Sequence, residues 1–204
     1  MSAQPALHCT VGTSSVGVGW QPQRIDVAGG RFRSARGVHL DWARSDDGNH
    51  WFALLERAHW RHPADLRELD ATATTLLVQR QLAAAEPGAN GLDLAAFASR
   101  ERNRAGLAEF GQRSLTLQAT WSRRIVGLDG TLGLLWQRAR FDGSAFDEVA
   151  RRVDRAWRLE VSLERPIPPP LTVPLEAPWM RGRTTTPLYE QDRGQALVLL
   201  QWSR

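Results

Sequence analysis

Between Arg155 and Pro166 every second residue is apolar: Trp157, Leu159, Val161 and Leu163 alternate with Arg158, Glu160, Ser162 and Glu164. A period of two places the apolar set on one face of a β-strand and the charged set on the other. Such a strand needs a dry neighbour on one side and water on the other. A soluble sheet packed on a core meets that need. So does a strand of a membrane barrel, with lipid outside and a wet lumen inside.

The same alternation recurs along the chain. Leu7–Trp20 reads as a strand in which Val16, Val18 and Trp20 alternate with Gly17 and Gly19; the small residues mark a close or bent sheet surface. Gly29-Gly30 predicts a turn. Arg31–Arg44 predicts a strand with Val38, Leu40 and Trp42 on one face and Gly37, His39 and Asp41 on the other. Ser45–Asn49 predicts a hairpin turn, with Asp47-Gly48 as its strongest signal.

His50–Arg61 pairs back as a strand too apolar for its facing to be read, and Pro63-Ala64-Asp65 turns the chain. Glu68–Leu82 predicts a strand, followed by the turn Glu86–Gly91. Leu92–Arg104 fits a strand to Ser99, although its Ala and Arg content also suits a helix. Gln112–Arg123 alternates cleanly, with Leu115, Leu117, Ala119 and Trp121 against Ser114, Thr116, Gln118, Thr120 and Ser122. Gly127–Phe141 sets Leu132, Leu134 and Trp136 against Thr131, Gly133 and Gln137, and Asp142-Gly143-Ser144 is a turn.

Ala145–Ala156 is expected as a loop or helical turn, since Phe146, Val149 and Val153 have helical spacing behind Ser144. Beyond the stiff Pro166–Pro170 connector, Leu171–Trp179 alternates again. Pro174 and Pro178 donate nothing to a ladder, so a weak or edge strand is expected there. Arg183–Arg193 is a polar loop and Gly194–Ser203 a last strand.

These segments predict an all-β, antiparallel up-and-down transmembrane β-barrel of roughly ten strands. It would form one domain over residues 1–204, the C-terminal part of a longer protein. What tips the balance toward a barrel is tryptophan. Trp20, Trp42, Trp121, Trp136, Trp179 and Trp202 each end an alternating segment, which is the pattern of an aromatic girdle at a membrane interface. Trp42, Trp121, Trp136 and Trp202 are the girdle candidates. A water-soluble barrel or sandwich has the same alternation and remains the competing fold.

Composition adds limits. All 26 Lys+Arg residues are arginine, and the net charge is +4. The arginines are spread through the strands and form no basic block, so nucleic acid is not an expected partner. Cys9 is the only cysteine, which excludes an internal disulfide. Ala6-Leu7-His8-Cys9 has too few residues before it for a lipoprotein signal, whose apolar core needs roughly 7–15. No apolar run of about 18 residues is present.

The residues 184–193, Thr-Thr-Thr-Pro-Leu-Tyr-Glu-Gln-Asp-Arg, and the alternating strand after them resemble the end of the barrel in tetratricopeptide-plus-barrel outer-membrane proteins. The nearest resemblance is to the surface lipoprotein assembly modifier family. Those barrels often close with Ser-Asn-x-x-Leu-Tyr-x-Tyr-x-Arg. Here Leu188, Tyr189 and Arg193 match, while Thr184 and Thr185 replace Ser-Asn and Gln191 replaces the second Tyr. The segments 112–123 and 152–166 resemble barrel strands of that type. Asp192, Gly194, Leu197 and Leu199 fit the outer-membrane assembly signal, but Trp202 stands third from the end where the family pattern has a terminal aromatic. No helical repeat of about 34 residues is visible.

The resemblance implies an outer-membrane location, lipid and barrel assembly machinery as partners, and lipoproteins as cargo. It implies no enzymatic activity and no cofactor. The sequence has no phosphate-binding loop, dinucleotide fingerprint or His-Glu-x-x-His motif. His59 and His62, three apart on a strand, would face opposite sides. Arg158, Glu160, Glu164, Thr116 and Gln118 are the expected lumen residues, and an arginine-rich lumen would favour anionic cargo. A soluble all-β binding module is the main alternative function, and a lipid-modifying barrel enzyme a third.

Overall fold

A computed structural model describes residues 6–27, 30–82, 90–107, 110–125, 128–143, 152–166, 171–185, 191–195, 197–198 and 201–202. They form one antiparallel sheet in which each strand pairs with the next. The strands are β1 (Ala6–Val11), β2 (Ser14–Val27), β3 (Gly30–Asp46), β4 (Asn49–Arg61), β5 (Ala71–Leu82), β6 (Gly91–Asn103), β7 (Gln112–Ile125), β8 (Leu128–Phe141), β9 (Val153–Pro166) and β10 (Leu171–Thr184). Three short pieces, β11 (Gln191–Gly194), β12 (Leu197–Val198) and β13 (Gln201–Trp202), all pair with β10 in one continuous register. They fill one strand position, so the meander has eleven positions.

The turns follow from local chemistry. At the β3–β4 hairpin Asp47 and Gly48 have φ of 35° and 81°, the doubly positive pair that a two-residue turn matched to strand twist requires. The segment Leu7–Trp20, read from sequence as one strand, is a hairpin: Gly12 takes φ 59° and reverses the chain between β1 and β2. The strand expected from Glu68 begins instead at Ala71, because Ala64–Leu69 forms a 3-10 helix. The ambiguous Leu92–Arg104 segment is strand β6. Of the segment expected as a loop or helical turn, Val153–Ala156 belongs to β9, and residues 145–151 lie outside the described set.

The proline-containing β10 is not an edge. It pairs with β9 over thirteen residues and with β11–β13 on its other side. Its prolines act on that second side. Pro178 accepts from the Gln195 amide at 3.0 Å but has no N–H to return a bond, and the ladder breaks there.

The two faces of the sheet differ sharply. All the large exposed apolar side chains except Phe32, Phe97 and Phe110 lie on one face. Along β3, Val38 and Leu40 on that face are 57% and 50% exposed, while His39 and Asp41 between them are 14% and 13% exposed. Side chains that splay on one face and converge on the other are the mark of curvature, with the polar face inside. Among the described residues the buried hydrophobic set is Ala35, Ala58, Ala71 and Ala73. Among the described residues no large apolar side chain is fully buried, so they form no dry core between layers.

The apolar residues form a belt that runs obliquely to the hydrogen-bonded rows. The row from Val18 passes through Leu40, Leu55, Leu76, Ala98 and Leu115, then through Arg138 and Arg155 to Arg183. Val18 is at mid-belt on β2, whereas the belt on β10 is represented by Ala177 and Trp179. From Ala177 to Arg183 is six residues, about 20 Å of drift at 3.3 Å per residue. Spread over the strand spacings from β2 to β10, that is a tilt of about 28°, shallower than the 35–45° of closed barrels.

The sheet is not closed, which corrects the expectation of a barrel. The expected count of roughly ten strands becomes eleven, and the parity gives the physical reason. In an up-and-down meander with an odd number of positions the first and last strands run the same way. Joining β1 to β11–β13 would make a parallel seam in an otherwise antiparallel sheet, whereas single-chain bacterial barrels have even strand numbers.

The candidate functional face

The polar face is built mainly from small and hydrogen-bonding residues. Four of the expected lumen positions, Thr116, Gln118, Arg158 and Glu160, come together on it, and Glu164 follows along β9. Gln118 and Arg158 flank Leu135 in one row, and Gly133 separates Thr120 from Glu160 in the next. Arg158 Nη2 lies 3.2 Å from Glu160 Oε2. With no side chain on Gly133, a cavity of about 380 Å³ opens between Gln118, Thr120, Thr131, Arg158, Glu160 and Ser162. Its lining offers donors and acceptors to a polar solute or an extended backbone.

The charge on this face differs from the expected arginine-rich lining. Its strands carry Asp41, Glu56, Asp93, Glu101, Asp129, Asp154, Glu160 and Glu164 against Arg33, Arg124, Arg158 and Arg193. Carboxylates outnumber guanidinium groups among the described residues of this face, so its lining is not the arginine-rich one expected. The sequence pattern misled because most strand arginines share the parity of the apolar residues and sit beyond the ends of the belt, on the other face.

Several carboxylates are tied down. Arg124 donates through Nε and Nη2 to Asp129 at 2.7 and 3.0 Å, at the β7–β8 hairpin beyond the belt. The hydrogen bond from Arg124 holds the Asp129 carboxyl below its ordinary range. Gln112 donates to Glu101 at 3.1 Å, and the Ser99 and Ser114 hydroxyls meet at 2.7 Å across β6 and β7.

A second cluster was not picked out from the sequence. Asp41 stands beside His39 (3.7 Å) on its own strand and His8 (3.8 Å) from two strands away. Gly17 lies between His8 and Asp41 in the row, and a Cβ there would come within 2.5 Å of both. Gly19 likewise makes room for the His39 ring. The usable signal was the glycine alternation in β2 set against His39-x-Asp41. Among the described residues no group of three or more His, Cys, Asp or Glu has the geometry to hold a metal ion.

The two flagged histidines go to separate partners. His59 Nδ1 contacts the Thr72 hydroxyl at 3.0 Å. His62 lies against Asp70 (3.4 Å) and edge-on to Phe32. At the opposite end of the sheet, the Ser45 hydroxyl and His50 Nδ1 meet at 2.9 Å, with no carboxylate bonded to that histidine among the described residues.

On the apolar face tryptophans collect at both borders of the belt. Trp42 and Trp121, two of the expected girdle residues, lie at the border nearest the two-residue connections 12–13, 47–48 and 126–127, together with Trp51. Trp136, the third, lies at the other border with Trp20, Trp157 and Trp179. Trp136 and Trp157 are direct cross-strand partners with ring centroids 6.2 Å apart. Trp202 is paired with Leu171 in register, and its side chain lies outside the described set, as do Leu188 and Tyr189. Arg193 of the family-like closing segment is on β11, opposite Met180.

No protein-family model matches the chain, and no curated protein is detectably similar to it.

Proposed function

We propose that this chain is the membrane-embedded part of a non-enzymatic outer-membrane β-barrel in an export or surface-display protein, helping surface lipoproteins or similar cargo across the outer membrane. The observation that carries the membrane half of this reading is the apolar belt, exposed from β1 to β10, while the buried apolar set among the described residues is four alanines. In water so large a contiguous apolar surface is unfavourable; against lipid it is the required one. On β7 the belt runs from Leu115 to Trp121, about 20 Å along the strand, near the roughly 25 Å band of membrane barrels. Tryptophan at both borders supports the same reading.

The export half rests on the resemblance of the 184–193 segment to surface lipoprotein assembly modifiers and on the polar inner face. Its mechanism is positional: side chains such as Gln118, Arg158 and Glu160 offer exchangeable hydrogen bonds to a passing chain, and the carboxylates favour cationic segments. A laterally sealed path needs both free edges satisfied. Antiparallel closure of eleven positions takes an odd number of further strands, from another segment or from a partner.

Refolding is the direct test. The protein should gain strand structure only with detergent or lipid and show heat-modifiable gel mobility. A monodisperse folded species in plain buffer would establish the soluble binding module instead. Cargo transfer is tested separately, by surface display of a lipoprotein in cells with and without this protein.

A further inference from the structure

By strand direction the connections 28–29, 62–70, 104–111 and 142–152 belong to one end of the sheet, and 12–13, 47–48, 83–90, 126–127 and 167–170 to the other. Connections are therefore longer on average at the first end, where the neighbouring belt border carries an arc of arginines on the apolar face. Arg100, Arg113 and Arg140 occupy one cross-strand row, and Arg138, Arg155 and Arg183 the next. Five of the six are exposed and Arg138 is half-buried. Guanidinium groups directly opposite one another repel, and among the described residues none of the six forms an ion pair with a carboxylate. The opposite border is arranged differently: Arg44 pairs with Asp46, and Arg80 stacks on Trp51 at 4.7 Å while donating to Asn49. Arg123 there has no ion pair among the described residues, but it faces Gly130 and no second arginine in its row. Uncompensated positive charge is therefore concentrated at one border.

We propose that this arginine arc is a docking surface for the phosphate groups of lipids in the leaflet on the long-connection side. It rests on the reading of the belt as membrane-embedded. Trp136 and Trp157 mark where hydrocarbon ends, and Arg138 and Arg155 are the next residues outward on the same face of β8 and β9. Guanidinium groups at that height meet headgroup phosphates, which they bind bidentately. Bound phosphate converts the cross-strand repulsion into shared attraction, since each anion lies between arginines of adjacent strands. In outer-membrane barrels the longer loops face outward, so the arc would read phosphorylated lipid of the outer leaflet.

The test uses the full chain folded in micelles of lauryldimethylamine oxide, a phosphate-free detergent, with folding checked by heat-modifiable mobility. Short-chain phosphatidylglycerol is titrated in and followed through tryptophan fluorescence. Saturable binding is expected, weakened about 25-fold in R113Q/R155Q, at roughly fivefold per arginine near an anionic lipid. R123Q, at the other border, should bind as the parent does. Equal affinity for the parent and R113Q/R155Q would overturn the proposal. So would equally tight binding of a phosphate-free carboxylate amphiphile, or displacement of the lipid by polyglutamate, which would make the arc a site for an acidic protein. Failure of the parent to fold in any micelle is a different result, because it removes the membrane reading itself.

Discussion

His8 and Asp41 approach to 3.8 Å across Gly17, which stands between them in the sheet and has no side chain to separate them. The contact ties β1, the short first strand, to β3 through the polar face, in addition to the β1–β2 ladder. G17A places a methyl group against both partners. The expected cost is about 1–3 kcal/mol, read as a lower urea midpoint in micelles. H8A should cost less in the G17A background than alone, because the contact it removes is already gone.

Charge placed at mid-belt should act very differently from the same charge on the polar face. L134R puts a guanidinium between Leu132 and Trp136 on the lipid-facing side and should destabilise the bilayer-folded state by about 2–4 kcal/mol. T116R, on the opposite face, should change it by less than about 1 kcal/mol. Equal losses would mean that both faces meet the same surroundings.

The two tryptophan borders should report different leaflets. With a brominated or spin-labelled lipid confined to one leaflet, replacing Trp20, Trp136, Trp157 and Trp179 by Phe should remove quenching from one side only. Replacing Trp42, Trp51 and Trp121 by Phe should remove it from the other. Mixed behaviour would contradict a belt with two borders.

The polar face should select cations. If strands supplied from outside complete the barrel, the reconstituted pore should prefer cations, and E160Q/E164Q should reduce that preference while leaving heat-modifiable mobility intact. Anion preference in the parent would show that the carboxylates do not line the path.

Pro178 leaves the last strand one bond short. P178A restores an N–H beside Gln195, and amide exchange there should slow several-fold as the ladder closes. Unchanged exchange would show that the interruption has another cause.

Much of the strand plan is legible in the residues alone. Alternation identifies β3, β7, β8 and β9 and sorts their side chains into two sets, because facing within a strand depends only on parity. Asp47-Gly48 announces its hairpin because few other residues accept two consecutive positive φ angles. Thr116, Gln118, Arg158 and Glu160 share a face for the same local reason. Gly12 did not reveal its reversal beforehand, since alternation continues across it. Pro174 and Pro178 suggested an edge because composition says nothing of which neighbour a missing N–H faces. Parity, likewise, did not reveal which residues on a shared face lie inside the belt and which beyond it. That depends on the offset between paired strands, which drifts steadily and carries the Val18 row out among arginines by Arg183. Only the assembled sheet decided that the arginines border the belt while carboxylates line the inner face, that His8 meets Asp41, and that eleven positions leave both edges open. Each is a relation between strands, set by register and strand count.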